Sequence, residues 1–342
     1  MQFIFVFFFI ICCHVSARIS NSVADQTRKA YPQTIGHAGA SYYVPAESLI
    51  GYDLAANLKA DYAEPDFNLS QDGHFIAMHD PTLDSTTNVM DYPEFAARKS
   101  TYTVCGTEKT GVFIMNLTLA EIKTLRIRQT VEGRPKAFDW LYSVPTLEEL
   151  LDWQIQNFVT TKRLVGLMPE LKCPSFYNEL GYPVEDMFLD VLRKKGYHVD
   201  KDDMDTPVDI MHKVVPIIIQ CFQADSLQYL VTKTNIPLMQ LITVYNKTPL
   251  QAWNQEVLDD VMRYAASVGP SKGIFTDLTV SDEKALEMVG WGHDRYTLYI
   301  LYILYTLYTL YTLYTLYTLY TLYIHYIQGL VYSAVHDEAR TR

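Results

Sequence analysis

The chain has 342 residues, nearly half of them hydrophobic (49%), and a formal net charge of −11. That length accommodates one large α/β domain with a sizeable core. An acidic surplus of this size excludes a general nucleic-acid binder, because phosphate neutralisation needs a basic face.

Residues 3–15 form an apolar run broken only by His14 and closed by Val15-Ser16-Ala17. The run is shorter than the roughly 20 residues of a bilayer span. Although no Lys or Arg precedes it, residues 1–17 read as a secretory signal peptide cleaved after Ala17, which predicts a secreted protein with no stable membrane span. Cleavage removes Cys12 and Cys13 and leaves Cys105, Cys173 and Cys221, enough for at most one disulfide, whose pairing the sequence leaves open. Sequons at Asn68, Asn116 and Asn246 are compatible with glycosylation of an exported chain.

A first short strand is expected at residues 34–37. A helix is expected to open at Pro45, with Ile50, Leu54, Ala55 and Leu58 on one face. The second strand, 61–68, contains Pro65, which cannot donate to a ladder and therefore predicts a bulge. Gln71-Asp72-Gly73 turns the chain, and Phe75, Ala77 and His79 alternate along a third strand. Residues 80–115 show no periodicity and read as a long excursion. Capping boxes start helices at Thr118 and Thr146, with Glu121 and Glu149 three residues on. Strands at 164–171, 216–222 and 238–245 then alternate with helices at 185–195, 226–232 and 256–266. That alternation implies a parallel sheet with right-handed crossovers. Trp140, Trp153 and Trp253 are assigned to core packing.

Residues 296–323 repeat Tyr-Thr-Leu or a near variant at a period of three, which suits neither helix nor strand. Tyrosine and threonine at two of every three positions make a poor apolar span. Residues 295–342 are set apart as a low-complexity tail, the product of a translated nucleotide repeat, with no function assigned.

The chemistry concentrates between residues 35 and 80. His37, Glu64, Asp66 and His79 fall at the ends of short apolar runs, where a parallel α/β barrel presents its polar groups. Glu64 and Asp66 lie two apart on one strand and share a face. Aligned carboxylates suit a hard divalent cation, and imidazoles beside it can exchange protons near neutral pH. Asp80, next to His79, is either its orienter or an ordinary turn aspartate.

Six segments in order carry a family resemblance: Gly36-His37-Ala38-Gly39-Ala40-Ser41, Glu64-Pro65-Asp66, Gln71-Asp72-Gly73, His79-Asp80, Glu170-Leu171-Lys172 and Gln220-Cys221-Phe222. Over roughly residues 31–294 the chain resembles the glycerophosphodiester phosphodiesterases, particularly their periplasmic and secreted members. The resemblance implies a TIM (β/α)8 barrel with a small insertion, and hydrolysis of a small-molecule phosphodiester to an alcohol and glycerol 3-phosphate with Ca2+ or Mg2+. It assigns acid/base roles to His37 and His79, metal ligation to Glu64, Asp66 and Glu170, and substrate contacts to Lys172 and Glu47.

The departures are specific. The family's His-Arg-Gly motif has Ala38 in place of arginine, and a methyl group does not replace a bidentate guanidinium. Ser85 stands where the family has a second arginine. The family's last strands run into the repeat, so the barrel is expected to be incomplete at its C-terminal end, unless residues 273–277 supply the final strand. Two alternatives follow: a weak or inactive phosphodiester-binding relative, and a lysophospholipase-D-like enzyme acting on lipid head groups.

Overall fold

The computed structural model of the chain describes residues 33–201, 216–243, 249–271 and scattered positions between 274 and 298. The signal segment, the Asn246 sequon, most of 273–277 and the repeat beyond Leu298 lie outside the described residues.

The chain opens with β1 (Ile35–His37), β2 (Tyr62–Glu64) and β3 (Asp66–Leu69). β4 (Phe75–Ala77) follows, then β5 (Ser100–Val104) and β6 (Thr107–Gly111). The remaining strands are β7 (Gly166–Leu167), β8 (Glu170–Leu171), β9 (Ile219–Cys221), β10 (Leu238–Ile242), β11 (Ser267–Pro270) and β12 (Thr297–Leu298). β1, β2 and β7 form one parallel ladder, and β3, β8, β9, β10, β11 and β12 form another. β2 runs into β3 through Pro65, and β7 into β8 through Pro169, so the two ladders are the lower and upper halves of one sheet. Sequential parallel strands with intervening helices are the arrangement of a TIM barrel. Among the described residues no ladder joins β12 to β1. The first residues of the repeat do take part: Thr297 and Leu298 pair with Ser267 and Val268.

Burial on two sides follows from this arrangement. Ile35, Tyr62, Met168, Ile218, Met239 and Leu241 pack together on one side of the strands. Alternate residues such as Ala63, Leu167 and Ile219 join a larger cluster with helix residues Leu150, Phe188 and Leu227. Each fully buried Leu, Ile or Phe contributes roughly 1.5–3 kcal/mol. Trp253 belongs to this core, while Trp140 does not: it is 43% exposed, contrary to the expectation from sequence.

Local chemistry explains where the elements depart from expectation. The first helix runs Leu49–Asn57, not from Pro45, because Ser48 is its N-cap, its hydroxyl accepting from the Gly51 N–H at 3.1 Å. β4 pairs antiparallel with β3, since the short turn at residues 70–74 cannot carry a crossover. The expected helix at 256–266 is Gln255–Val261. Both capping boxes form as expected, on Leu119–Ile122 and Leu147–Thr161. The excursion holds the β5–β6 hairpin, turned by Cys105 and Gly106 at φ 48° and 74°. Positive φ at both positions suits a two-residue hairpin turn.

Cys105 is disulfide-bonded to Cys173, and Cys221 is a buried free thiol. The Asn68 sequon is corrected: its side chain is buried, donating to the Met78 carbonyl at 2.7 Å and accepting from the Tyr177 hydroxyl at 2.9 Å, so no glycan fits there.

Candidate active site

The strand register assembles the site. His37 lies opposite Glu64 across β1 and β2, Asp66 opposite Glu170 across β3 and β8, and Glu170 opposite Gln220 across β8 and β9. Pro65 and Pro169 break neighbouring strands at one level, each just before an acid. The Glu170 N–H donates to the Pro65 carbonyl at 2.8 Å, and the Gln220 N–H to that of Pro169 at 2.9 Å. Carboxylates distant in sequence therefore converge.

One oxygen from each of Glu64, Asp66 and Glu170 lies within 4.8 Å of the others. All three residues are buried. Neither carboxylate oxygen of Asp66 accepts a hydrogen bond from a described residue, although the Lys172 ammonium stands 3.4 Å from Oδ1. Buried oxygens without donors are costly, and an all-oxygen set at this spacing fits a hard cation bound at about 2.0–2.6 Å. The residues present thus fit a divalent metal.

The rest of the site restrains these acids. Glu64 accepts from the Gln220 amide at 2.6 Å and from the Ala38 N–H at 3.2 Å. Burial, then the charges of Asp66, Glu47 and Glu170, raises its pKa well above the carboxylate range. Burial and the Asp66 charge raise Glu170 to about 8, against the pull of Lys172 3.0 Å away. Burial works against ionisation of Asp66 too, but Lys172, His79 and His37 together hold its pKa below the usual value. Lys172 itself is raised despite burial, by Asp66 and Glu170.

The two histidines differ. His37 is 20% exposed with Nε2 4.0 Å from Glu64, and burial is the main cause lowering its pKa to about 4, with His79, Lys172 and Arg134 adding to the effect against Asp66. His79 follows β4 on the rim and is 59% exposed. Its Nδ1 lies 3.3 Å from Asp80, and that hydrogen bond, with Asp66, raises its pKa. Asp80 is thus in reach of His79, and Lys109 from β6 stands 3.6 Å from Asp80.

Glu47, for which the resemblance implies a substrate contact, meets its neighbours Tyr52 and Asp66. It is buried beneath the acids, its Oε2 accepting from the Tyr52 hydroxyl and from the Asp66 N–H at 3.4 Å. Burial and Asp66 raise its pKa. Its position is that of a support for β3. Gln220, Tyr52 and Lys109 received no role from sequence. Gln220 sits in a motif already singled out, whereas Tyr52 and Lys109 carried no local signal.

Residues 37–297 match the model of the glycerophosphoryl diester phosphodiesterase family, and the chain belongs to that family of hydrolases. It is 32% identical over 300 residues to glycerophosphodiester phosphodiesterase GDPD6 of Arabidopsis thaliana, covering 81% of this chain and 77% of the relative. It is 27% identical over 283 residues to the glycerophosphodiester phosphodiesterase of Haemophilus influenzae, covering 73% and 72% of the two chains. A crystal structure from Silicibacter pomeroyi DSS-3, assigned to the glycerophosphoryl diester phosphodiesterases, superposes with a TM-score of 0.52 at 19% identity, over 75% of this chain and 79% of that one. The fold is the TIM barrel of this family.

Proposed function

We propose that this chain hydrolyses glycerophosphodiesters to an alcohol and glycerol 3-phosphate, with Ca2+ or Mg2+ held by Glu64, Asp66 and Glu170. The observation that carries this reading is the convergence of three buried carboxylates beside two imidazoles whose proton affinities are shifted in opposite directions. When bound, the cation supplies Lewis-acid polarisation of a phosphoryl oxygen and neutralises the acids. His37, neutral at pH 7, takes the proton of the attacking hydroxyl, whether of water or of the substrate's glycerol. His79, whose proton affinity the Asp80 hydrogen bond raises, delivers a proton to the departing alkoxide as the phosphorus–oxygen bond breaks. Lys172 balances Asp66 and Glu170 and faces the phosphate side of the cluster.

The reading includes export. The apolar leader at residues 3–17 supports it, and so does the Cys105–Cys173 disulfide, since such bonds persist in oxidising compartments. Among the described residues no helix is long and apolar enough to cross a membrane.

Ala38 favours a second reading, a binding relative with little turnover. It is buried in the turn after His37 at φ 51°, where the family motif has arginine. Glycerophosphocholine hydrolysis by the purified chain separates the readings. Expected is turnover abolished by a strong chelator and restored by Ca2+ or Mg2+. Turnover indifferent to the chelator removes the metal from the account. Absence of turnover in the parent, with its appearance in Ala38→Arg, establishes the binding relative.

A further inference from the structure

The segment at residues 126–141 inverts the usual surface pattern. Phe138, Trp140 and Leu141 are 38%, 43% and 61% exposed within one turn, the Leu141 N–H donating to the Phe138 carbonyl at 3.4 Å. Trp140 holds a left-handed backbone at φ 68°, sparsely populated by residues with a bulky side chain. The loop is nonetheless well fixed. Its neck is closed by the Trp140 N–H donating to the Ile127 carbonyl at 2.8 Å and by the Gln129 N–H donating to Asp139 at 2.7 Å. Ile127 and Val144 at its base are buried in a core cluster. A rigid loop that keeps three large apolar side chains in water is paying for an exposure its own fold does not need.

The charge around that tip is opposite to that of the chain as a whole. Residues 126–141 carry four basic side chains against two acidic ones, in a protein of net charge −11. Arg128 lies over the Trp140 ring at 5.8 Å and donates to the Ser85 carbonyl at 2.6 Å. Lys136 is exposed and Arg128 half-buried, and neither forms an ion pair with a described residue. The same loop reaches the catalytic rim: Gln129 and Arg134 each donate to the Ser41 carbonyl at 2.9 Å, and Ser41 follows His37 by four residues.

We propose that the turn at residues 136–141, with Arg128 beside it, docks this protein onto an anionic lipid bilayer and sets the active site against that surface. Aromatic rings are favoured at the headgroup level, where an apolar body and a polar edge are both accommodated. Basic side chains beside them are attracted by anionic lipid, while the remainder of this acidic chain is repelled. The docking element deepens the hydrolase reading by naming where its phosphodiester substrates are met: at a lipid surface. It rests on that reading only for the substrate, not for the docking.

Sedimentation of the full chain with vesicles tests it, comparing pure phosphatidylcholine with phosphatidylcholine containing phosphatidylserine. The parent is expected to bind the mixed vesicles, less so as salt rises. Phe138→Ser/Trp140→Ser/Leu141→Ser is expected to lower the partition by roughly tenfold or more. Arg128→Gln/Lys136→Gln should lower it by about fivefold per charge removed. Glycerophosphocholine turnover is expected to be unchanged in both variants, which also shows that they fold. A parent that leaves both vesicles unbound, binding indifferent to phosphatidylserine, equal binding by the triple variant, or loss of soluble turnover in it overturns the docking assignment. A parent that binds but hydrolyses nothing leaves docking in place and removes only the hydrolase reading.

Discussion

Two regions of this molecule break the same rule in opposite directions. At the carboxyl ends of the strands, Glu47, Glu64, Asp66 and Glu170 are buried. At the turn near Trp140, large apolar side chains stand in water. Burying carboxylates costs free energy unless an opposite charge answers them. Exposing apolar surface forgoes stabilisation that the core obtains elsewhere. The first region is unsatisfied toward a cation, the second toward a partner surface. In both, the departure from folding economy is what the proposed roles, cation binding and lipid docking, would account for.

The largest expected effect lies in the buried region. His37→Ala and His79→Ala should each lower glycerophosphocholine turnover by about 10²–10⁴, measured by initial rates. Their opposite shifts set the pH profile. His37 acts in its neutral form, so activity falls as pH drops through about 4. His79 acts in its protonated form and its pKa is raised, so activity is lost only as pH climbs beyond the ordinary histidine value. A profile with both limbs at one pH would contradict the division of roles.

The carboxylates give a stability test. Glu170 is raised to about 8 and Glu64 is also raised, so without a cation the fold favours their protonated forms. A raised carboxylate pKa contributes stability at acid pH that fades as pH rises through the folded value. Ca2+ or Mg2+ is therefore expected to raise Tm more at pH 8 than at pH 5, and to release protons on binding at pH 7. Calorimetry in buffers of differing ionisation enthalpy reads that release; no release would mean that the acids are already ionised.

A pair of tryptophans sharpens the contrast between regions at the small end. Trp253 is fully buried and its indole N–H donates to the Met288 carbonyl at 2.7 Å. Trp253→Ala is expected to cost about 3–5 kcal/mol in denaturant unfolding. Trp140→Ala should stay within about 0.5 kcal/mol. Equal losses would mean that Trp140 is a core residue after all.

The sequence made the acidic site legible because strand periodicity and register carry it. Glu64 and Asp66 share a face by spacing alone, and Glu170 stands at the tip of a strand whose apolar run is plain. What it left hidden depends on contacts across distance. Glu47 accepts from the Tyr52 hydroxyl and from the Asp66 N–H, contacts that no local pattern announces. The β5–β6 hairpin escaped notice although Cys105-Gly106 is a turn signal, since its strands alternate among exposed polar residues and give no hydrophobic period. Composition alone sends a tryptophan such as Trp140 inward. Only its position on a loop tip says otherwise.

The Cys105–Cys173 bond closes a separation of 68 residues and sews the tip of that hairpin to the residue following Lys172. Cross-linking a loop of that length removes about 4 kcal/mol of chain freedom from the unfolded state. Thiol reductants would unstitch the hairpin from the cleft's edge, and with it Lys109, which steadies Asp80 behind His79. The bond thus ties the hairpin that carries Lys109 covalently to the strand end that carries Glu170 and Lys172.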